Sequence, residues 1–584
     1  MPLFPQVNPQ QTDQIMTDTF AGYDHQLKIP DGEWYDTKNL TSDYAPMMAN
    51  RKPRGNLHKG AVALLEKDAL AYVGTDGTLY YNFTATGVTG LSAGEKQMVS
   101  MGAYLVIFPD KVYYNTEDPS DYGNLEATYN AASATYAMCR YDGTEFNPTY
   151  VQATEPPSPQ NAEYWIDTSG ETHILKQWSE AQNSWVSIET VYIKITFTTL
   201  GTLPFKEMDG VHITGSSVPD VNGDKIIYAC GGSENEADWI MVTGLLDAVT
   251  TDLNSVVISR KVPDLDYVCE CQNRLWGCYY GMSGGKVINE IYCCALGDFK
   301  NWRQYQGLST DSWTGSVGSD GQWTGAVNYL GYPTFFKENR IHRVTVSTVG
   351  AHSISETVCR GVQKGSAKSL VVVNETLYYK SPSDVCAYQG GFPTGVSLAL
   401  GKEQYHDAVA GAINGKYYIS MLDNSNAASL FVYDISKGIW LKEDNHRVTA
   451  FARVDNELFA VSGDNLITML GSLPVLGAEA ESGMTWEAVS GIEYYSYPDR
   501  KRISRYNIRL ILAKDATISA YVQYDSSGVW EAAGSYTAAA ASTGTILFPV
   551  RPHRCDHMQI KLTGSGDVRI YSIARILEIG SDYR

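Results

Sequence analysis

From residue 60 onward the chain repeats one hydropathy unit: an apolar strand, a short polar turn, then a second strand that often ends in paired tyrosines. Leu70-Ala-Tyr-Val73, the turn Gly74-Thr-Asp-Gly77 and Leu79-Tyr-Tyr81 form one copy. Tyr104-Leu-Val-Ile-Phe108 with Val112-Tyr-Tyr114, and Leu370-Val-Val-Val373 with Leu377-Tyr-Tyr379, form two more. Val409-Ala-Gly-Ala-Ile413 with Tyr417-Tyr-Ile419, and Phe451-Ala-Arg-Val454 with Leu458-Phe-Ala-Val461, complete the set. The turns between them, Asn414-Gly415 and Asn374-Glu375 among them, are hairpin chemistry, because a primed turn needs positive φ at its centre. Hairpins spaced roughly 40 residues apart between 369 and 470 predict the blades of a β-propeller. No WD dipeptide or kelch double glycine recurs, so stacked β-sandwiches are the competing arrangement.

The pattern divides the rest of the chain. Residues 1–59 lack periodicity and carry the basic stretch Arg51-Lys52-Pro53-Arg54, which predicts an extended N-terminal arm lying on another surface. Residues 60–118 hold the first propeller strands. The repeat breaks over 119–254, where Glu155-Pro-Pro-Ser-Pro159 reads as a stiff linker into small inserted β modules. One module carries Trp165, Trp178 and Trp185; the next carries Met208 to Gly215 and Ile226 to Ala229. Blades resume over 255–475. Positions 471–483 read as a linker, and the closing domain, 476–584, alternates apolar and polar residues from 484 onward (Ile508-Arg-Leu-Ile-Leu512, Ile518-Ser-Ala-Tyr-Val-Gln-Tyr524), as a C-terminal β-sandwich does. The predicted class is all-β: a propeller with inserted modules and a sandwich.

Composition agrees. Only 19% of the 584 residues are charged, while 52 Gly and 40 Tyr suit tight turns and pleated surfaces. Net charge is −20, against the clustered Lys and Arg that a grip on nucleic acid requires. The first residues show no basic stretch followed by an apolar core, and no apolar run reaches the roughly 20 residues of a membrane span, so synthesis and folding in a cytosol are expected. The ten cysteines are then expected to be thiols.

Several longer stretches resemble a known family. Asn273-Arg-Leu-Trp-Gly277, Leu296-Gly-Asp-Phe-Lys-Asn-Trp302, Tyr332-Pro-Thr-Phe-Phe-Lys-Glu338, Gly361-Val-Gln-Lys-Gly-Ser366 and Val373-Asn-Glu-Thr-Leu-Tyr-Tyr-Lys-Ser381 do so. Tyr497-Pro-Asp-Arg-Lys501, Arg551-Pro-His-Arg-Cys-Asp-His557 and Gly566-Asp-Val-Arg-Ile-Tyr-Ser-Ile573 do so near the end. Together they resemble the head–tail "stabilization" proteins of phages of gut Firmicutes, which are similar to the tail hub or nozzle proteins of short-tailed phages. The resemblance spans about 20–584. It implies a virion component made in the bacterial cytoplasm, a ring subunit present in six copies, contacts with a head–tail adaptor and distal tail proteins, and transient passage of phage DNA. It implies no cofactor and supplies no catalytic residues.

Other candidate chemistry is thin. Cys269, Cys271, Cys278, Cys293 and Cys294 contain no C-x-x-C pair and no His at zinc spacing. His553 and His557 flank Cys555 and Asp556, yet the family usually has a basic residue at the first of these positions. Asp220-Val-Asn-Gly-Asp224 begins like a calcium loop but places Lys225 and Gly231 where Gly and Glu belong. Ser319-Asp-Gly-Gln-Trp323 and Ser309-Thr-Asp311 resemble the Asp-boxes of sialidases without their full spacing. With no nucleophile elbow, phosphate loop or His-Glu-x-x-His helix, the expectation is a structural protein and not an enzyme. Trp165, Trp178 and Trp185 are a candidate sugar platform, which makes a tail adhesin acting through 119–254 the alternative; Arg51, Lys52 and Arg54 are a candidate inter-subunit contact.

Overall fold

The computed structural model describes residues 11–253, 255–347, 351–471, 477–494, 500–551 and 553–579. Positions 472–476 of the expected linker, and 497–499 and 552 of the closing motifs, lie outside them. Nearly all regular structure among the described residues is β, in small and mostly antiparallel sheets. The chain divides into two compact units: Met1–Lys96 with Phe335–Ile341 and Thr357–Arg584, and Gln97–Thr334 with His342–Glu356.

The fold is of the all-β propeller type. Among the described residues, six four-stranded sheets outside the insertion run in simple sequence order; one is built from Tyr405–Ile413, Lys416–Asp423, Ala428–Asp434 and Ile439–Asp444. Each of the five predicted hairpins is present. Asn414 and Gly415 take φ of 53° and 72° between paired Ile413 and Lys416, the primed-turn geometry that keeps strand twist continuous. In the first unit the leading strands Tyr405–Ile413, Val448–Val454 and Ala63–Lys67 lie side by side, and in the second Gln97–Met101 lies beside Tyr267–Glu270. Sheets stacked through their leading strands are propeller blades. The last blade, Val448–Val454, Glu457–Ser462 and Asn465–Thr468, takes its next strand, Gly55–Gly60, from the opposite end of the chain.

The first unit also contains the expected sandwich, with a correction. The described part of the expected N-terminal arm (1–59) is not extended over another surface: residues 11–50 supply five strands to the sandwich. One sheet runs Leu40–Thr41, Met48–Asn50, Val568–Ile579, Lys501–Leu512, Ser542–Pro549, with Gln11–Thr17 also paired to Val568–Ile579. The other runs Gly22–Tyr23, Glu33–Lys38, Thr485–Ser490, Met558–Ser565, Thr517–Tyr524, Glu531–Thr537. Alternation along Lys501–Leu512 puts Ile503, Tyr506, Ile508, Leu510 and Leu512 into one core with Trp34 and Trp486. Arg575, buried, donates to Thr17 at 2.5 Å and to Glu493 at 2.6 Å, fixing the N-terminal strand to the C-terminal one.

In the second unit the insertion runs later than expected. Tyr122–Asn124 is the fourth strand of the blade that begins at Gln97, and Val256–Arg260 pairs with Ala127–Ala131, so the inserted strands occupy 127–260. Three small sheets share one apolar core that includes Tyr136, Ile166, Leu175, Ile195, Ile213, Ile240 and Ile258.

Candidate functional site

The basic stretch is turned inward. Arg51 and Arg54 are 5% and 4% exposed. Arg54 donates to Asp444 at 2.6 Å and Glu443 at 2.5 Å, both at the end of the blade strand Ile439–Asp444. Arg51 forks onto Glu481 at 2.8 and 3.2 Å and donates to Asn39 at 2.9 Å. Burial opposes ionisation of Asp444, but hydrogen bonding from His446 and the Arg54 charge hold its carboxyl well below the usual range. Arg51 and Arg54 therefore tie blade to sandwich within one chain, which corrects their assignment as an inter-subunit contact. Lys52 alone stays exposed.

The tryptophans sit on the sheet of Tyr150–Gln152, Tyr164–Asp167, Ile174–Ser179 and Ser184–Ser187. Strand alternation sends Tyr164, Ile166 and Leu175 into the core and Tyr150, Trp165, Trp178 and Trp185 to the opposite face. Trp178 and Trp185 are cross-strand partners, 5.6 Å apart at 66°. Trp165 meets Trp185 at 5.4 Å and 67°, and Tyr150 meets it at 89°. Trp165 is buried, donates to the Gln152 carbonyl at 2.8 Å and lies under Lys176. Rings meeting edge to face form a small aromatic core, not a flat rail on which sugar rings stack. The Trp185 N–H is buried without a hydrogen-bond partner among the described residues.

A mixed cleft of about 710 Å³ opens at the end of this same sheet, within the insertion. Ile188, Leu245 and the Tyr228 ring give it apolar walls; His173, Asp220 and Lys225 bring polar groups to it. Asp220 accepts the Leu245 N–H at 3.2 Å. Half-buried Lys225 donates to the Thr243 carbonyl at 3.0 Å, and among the described residues no carboxylate lies within ion-pairing distance of it. Burial lowers its pKa from the ordinary lysine value, against the Asp220 charge. These residues come from separate segments, and Lys225 drew notice only as the residue that spoils a calcium loop.

The remaining candidates face local partners. All ten cysteines are free, and eight are buried. Burial pushes the Cys271 thiol up to about 12 and the Cys293 thiol to about 11. His553 lies tilted against the Tyr524 ring, His557 meets Ser526 and Asp556, and the Cys555 thiol turns to the Lys501 carbonyl, so this quartet does not converge. Asp224 pairs with His212 at 2.8 Å and Arg303 at 3.0 Å, while Asp220 accepts the Leu245 N–H, so the two have separate partners. Asp311 accepts the N–H groups of Gly307 and Leu308 at 2.7 and 3.0 Å, which organises a turn, and Trp323 donates to the Tyr279 carbonyl on a neighbouring strand.

No family model and no curated protein matches the chain. Solved structures do. An exo-β-1,3-galactanase from Phanerochaete chrysosporium is 8% identical, covering 53% of this chain and 94% of its own at a TM-score of 0.22. A sialidase of Trypanosoma rangeli is 8% identical, covering 68% and 94% at 0.23. A family 43 arabinoxylan arabinofuranohydrolase from Bacillus subtilis is 9% identical, covering 53% and 94% at 0.18. The expectation that the chain is not an enzyme is withdrawn, because it rested on missing motifs. Glycosidases need two carboxylates across a cleft and leave no linear motif, so missing motifs do not exclude catalysis. At this identity and TM-score the matches carry no argument for an activity of this chain.

Proposed function

We propose that the chain is a structural subunit of a phage tail, repeated around a ring that joins the head-proximal adaptor to the distal tail and conducts the genome. The sequence resemblance over about 20–584 supports this reading. The structural observation that carries it is the stitching of strands from opposite parts of the sequence into one sandwich. Gln11–Thr17 runs antiparallel to Val568–Ile579 in seven register pairs, and Gly55–Gly60 completes the last blade. A subunit held between neighbours gains from this arrangement, since the ladder ties Gln11–Thr17 to Val568–Ile579 and leaves neither strand unpaired. The −20 charge suits a conduit, because a wall lined with Asp and Glu repels phosphate and leaves DNA mobile. Native mass spectrometry of the purified protein tests the ring: a closed homo-oligomer of six copies is expected, and a monomer at every concentration and salt contradicts it.

A further inference from the structure

We propose that the cleft beside the tryptophan sheet binds an anionic sugar unit, its acid group on Lys225 and its ring against Tyr228 and Leu245. Three observations converge, none of which depends on the tail reading. The first is size: about 710 Å³ lies within the ~300–1,000 Å³ usual for small-molecule sites and admits a monosaccharide with its substituents.

The second is the lysine. Lys225 stands half out of water with one hydrogen bond, to the Thr243 carbonyl, and no ion pair among the described residues. An ammonium held this way carries a desolvation cost that a charged ligand offsets, and two of its three donors remain for that ligand. Of the two acidic residues lining the cleft, Asp220 is engaged by the Leu245 N–H and Glu189 is exposed to solvent; neither is within ion-pairing distance of Lys225, and both stand as acceptors for ligand hydroxyls.

The third is the mixture of walls. Tyr228, held edge-on by Tyr192 at 5.2 Å and 73°, offers a ring that an apolar sugar face packs against. His173, pinned by Asp247 at 3.3 Å, adds a polar group at the rim. A fatty acid or an aromatic acid would leave these polar groups unpaired; a bare inorganic anion would leave the apolar wall empty. A sugar acid satisfies both. The tryptophan cluster then acts as the rigid floor of the sheet that carries His173 and Ser187, with no ligand of its own.

The test is calorimetric or saturation-transfer titration of the full-length protein with glucuronic acid, N-acetylneuraminic acid and glucose 6-phosphate, with glucose and acetate as controls. The expected result is millimolar or tighter binding of at least one sugar acid, at least tenfold weaker binding of glucose and of acetate, and loss of affinity as salt rises. Lys225→Met is expected to weaken binding at least tenfold and Lys225→Arg to retain most of it. Absence of binding by all three acids overturns the proposal, as does glucose or acetate binding equally well. Because Lys225→Met removes a half-buried charge, the salt series on unsubstituted protein stands as an independent reading: affinity indifferent to salt contradicts a charge-carried contact.

Discussion

Replacing Arg54 by Met tests whether the basic stretch locks each chain internally. The substitution keeps most of the side-chain volume but removes the guanidinium from Glu443 and Asp444, which are 6% and 7% exposed. Removing one partner of a buried ion pair costs ~3–5 kcal/mol, because the remaining charge is left uncompensated. Arg51 lies 3.8 Å from Glu443 and 3.5 Å from Asp444 and takes over part of the compensation, so the low end, about 3 kcal/mol, is expected. In urea, with m on the order of 3 kcal/mol/M, the transition reporting on this unit moves down by ~1 M. Neutralising the acids in the same background, with Glu443→Gln and Asp444→Asn, is expected to recover part of the loss. A cost below ~0.5 kcal/mol, the value of an exposed pair, refutes the reasoning. So does a cost that depends on protein concentration, which would place the acids' true partner on another chain.

Other expectations follow from single groups. Burial and a hydrogen bond with Asp24 raise the Glu33 carboxyl from its ordinary 4.5 to about 7. The folded state therefore holds a proton that the unfolded state releases, so this contribution is present below pH 4.5 and is lost as pH rises through 7. Discounted for solvent screening it is worth about 1 kcal/mol, and Glu33→Gln is expected to flatten the fall in melting temperature between pH 5 and 8; an unchanged profile contradicts it. Iodoacetamide at neutral pH is expected to reach half-buried Cys230 and Cys359 first and the eight buried thiols only with denaturant; native labelling of Cys278 contradicts the fold of its blade. Trp185→Ala removes the ring that Trp165, Trp178 and Tyr150 all contact, and is expected to destabilise the insertion by about 2–3 kcal/mol, read by near-ultraviolet dichroism; a cost under ~0.5 kcal/mol contradicts a packed cluster.

Much of the architecture was legible because blades are local. Ile413 and Lys416 are three positions apart and Asn414-Gly415 announces the turn between them, so strand, turn and strand appear together in the sequence. The long strands of the sandwich show plain alternation for the same reason. The N-terminal strands were illegible because Gly22–Tyr23 and Leu40–Thr41 are two residues long and take their place from partners elsewhere in the fold. Arg51 and Arg54, beside Pro53, look like a solvated basic patch until Glu443, Asp444 and Glu481, some four hundred residues away, are brought against them. Val256–Arg260 alternates like a blade strand, and only its pairing with Ala127–Ala131 assigns it to the insertion. The cleft was invisible for the same reason: Lys225, Tyr228 and His173 have no spacing in common, and their proximity is a product of three packed sheets.

The central claim is tested most directly by electron cryomicroscopy of phage particles assembled from the genome that encodes this chain. The account predicts density for the propeller, insertion and sandwich in a ring of six copies between the head-proximal adaptor and the distal tail, with Asp and Glu outnumbering Lys and Arg along the lumen. A chain found only at the tips of fibres, or absent from the particle, contradicts the tail-ring reading; a lumen richer in Lys and Arg contradicts the conduit.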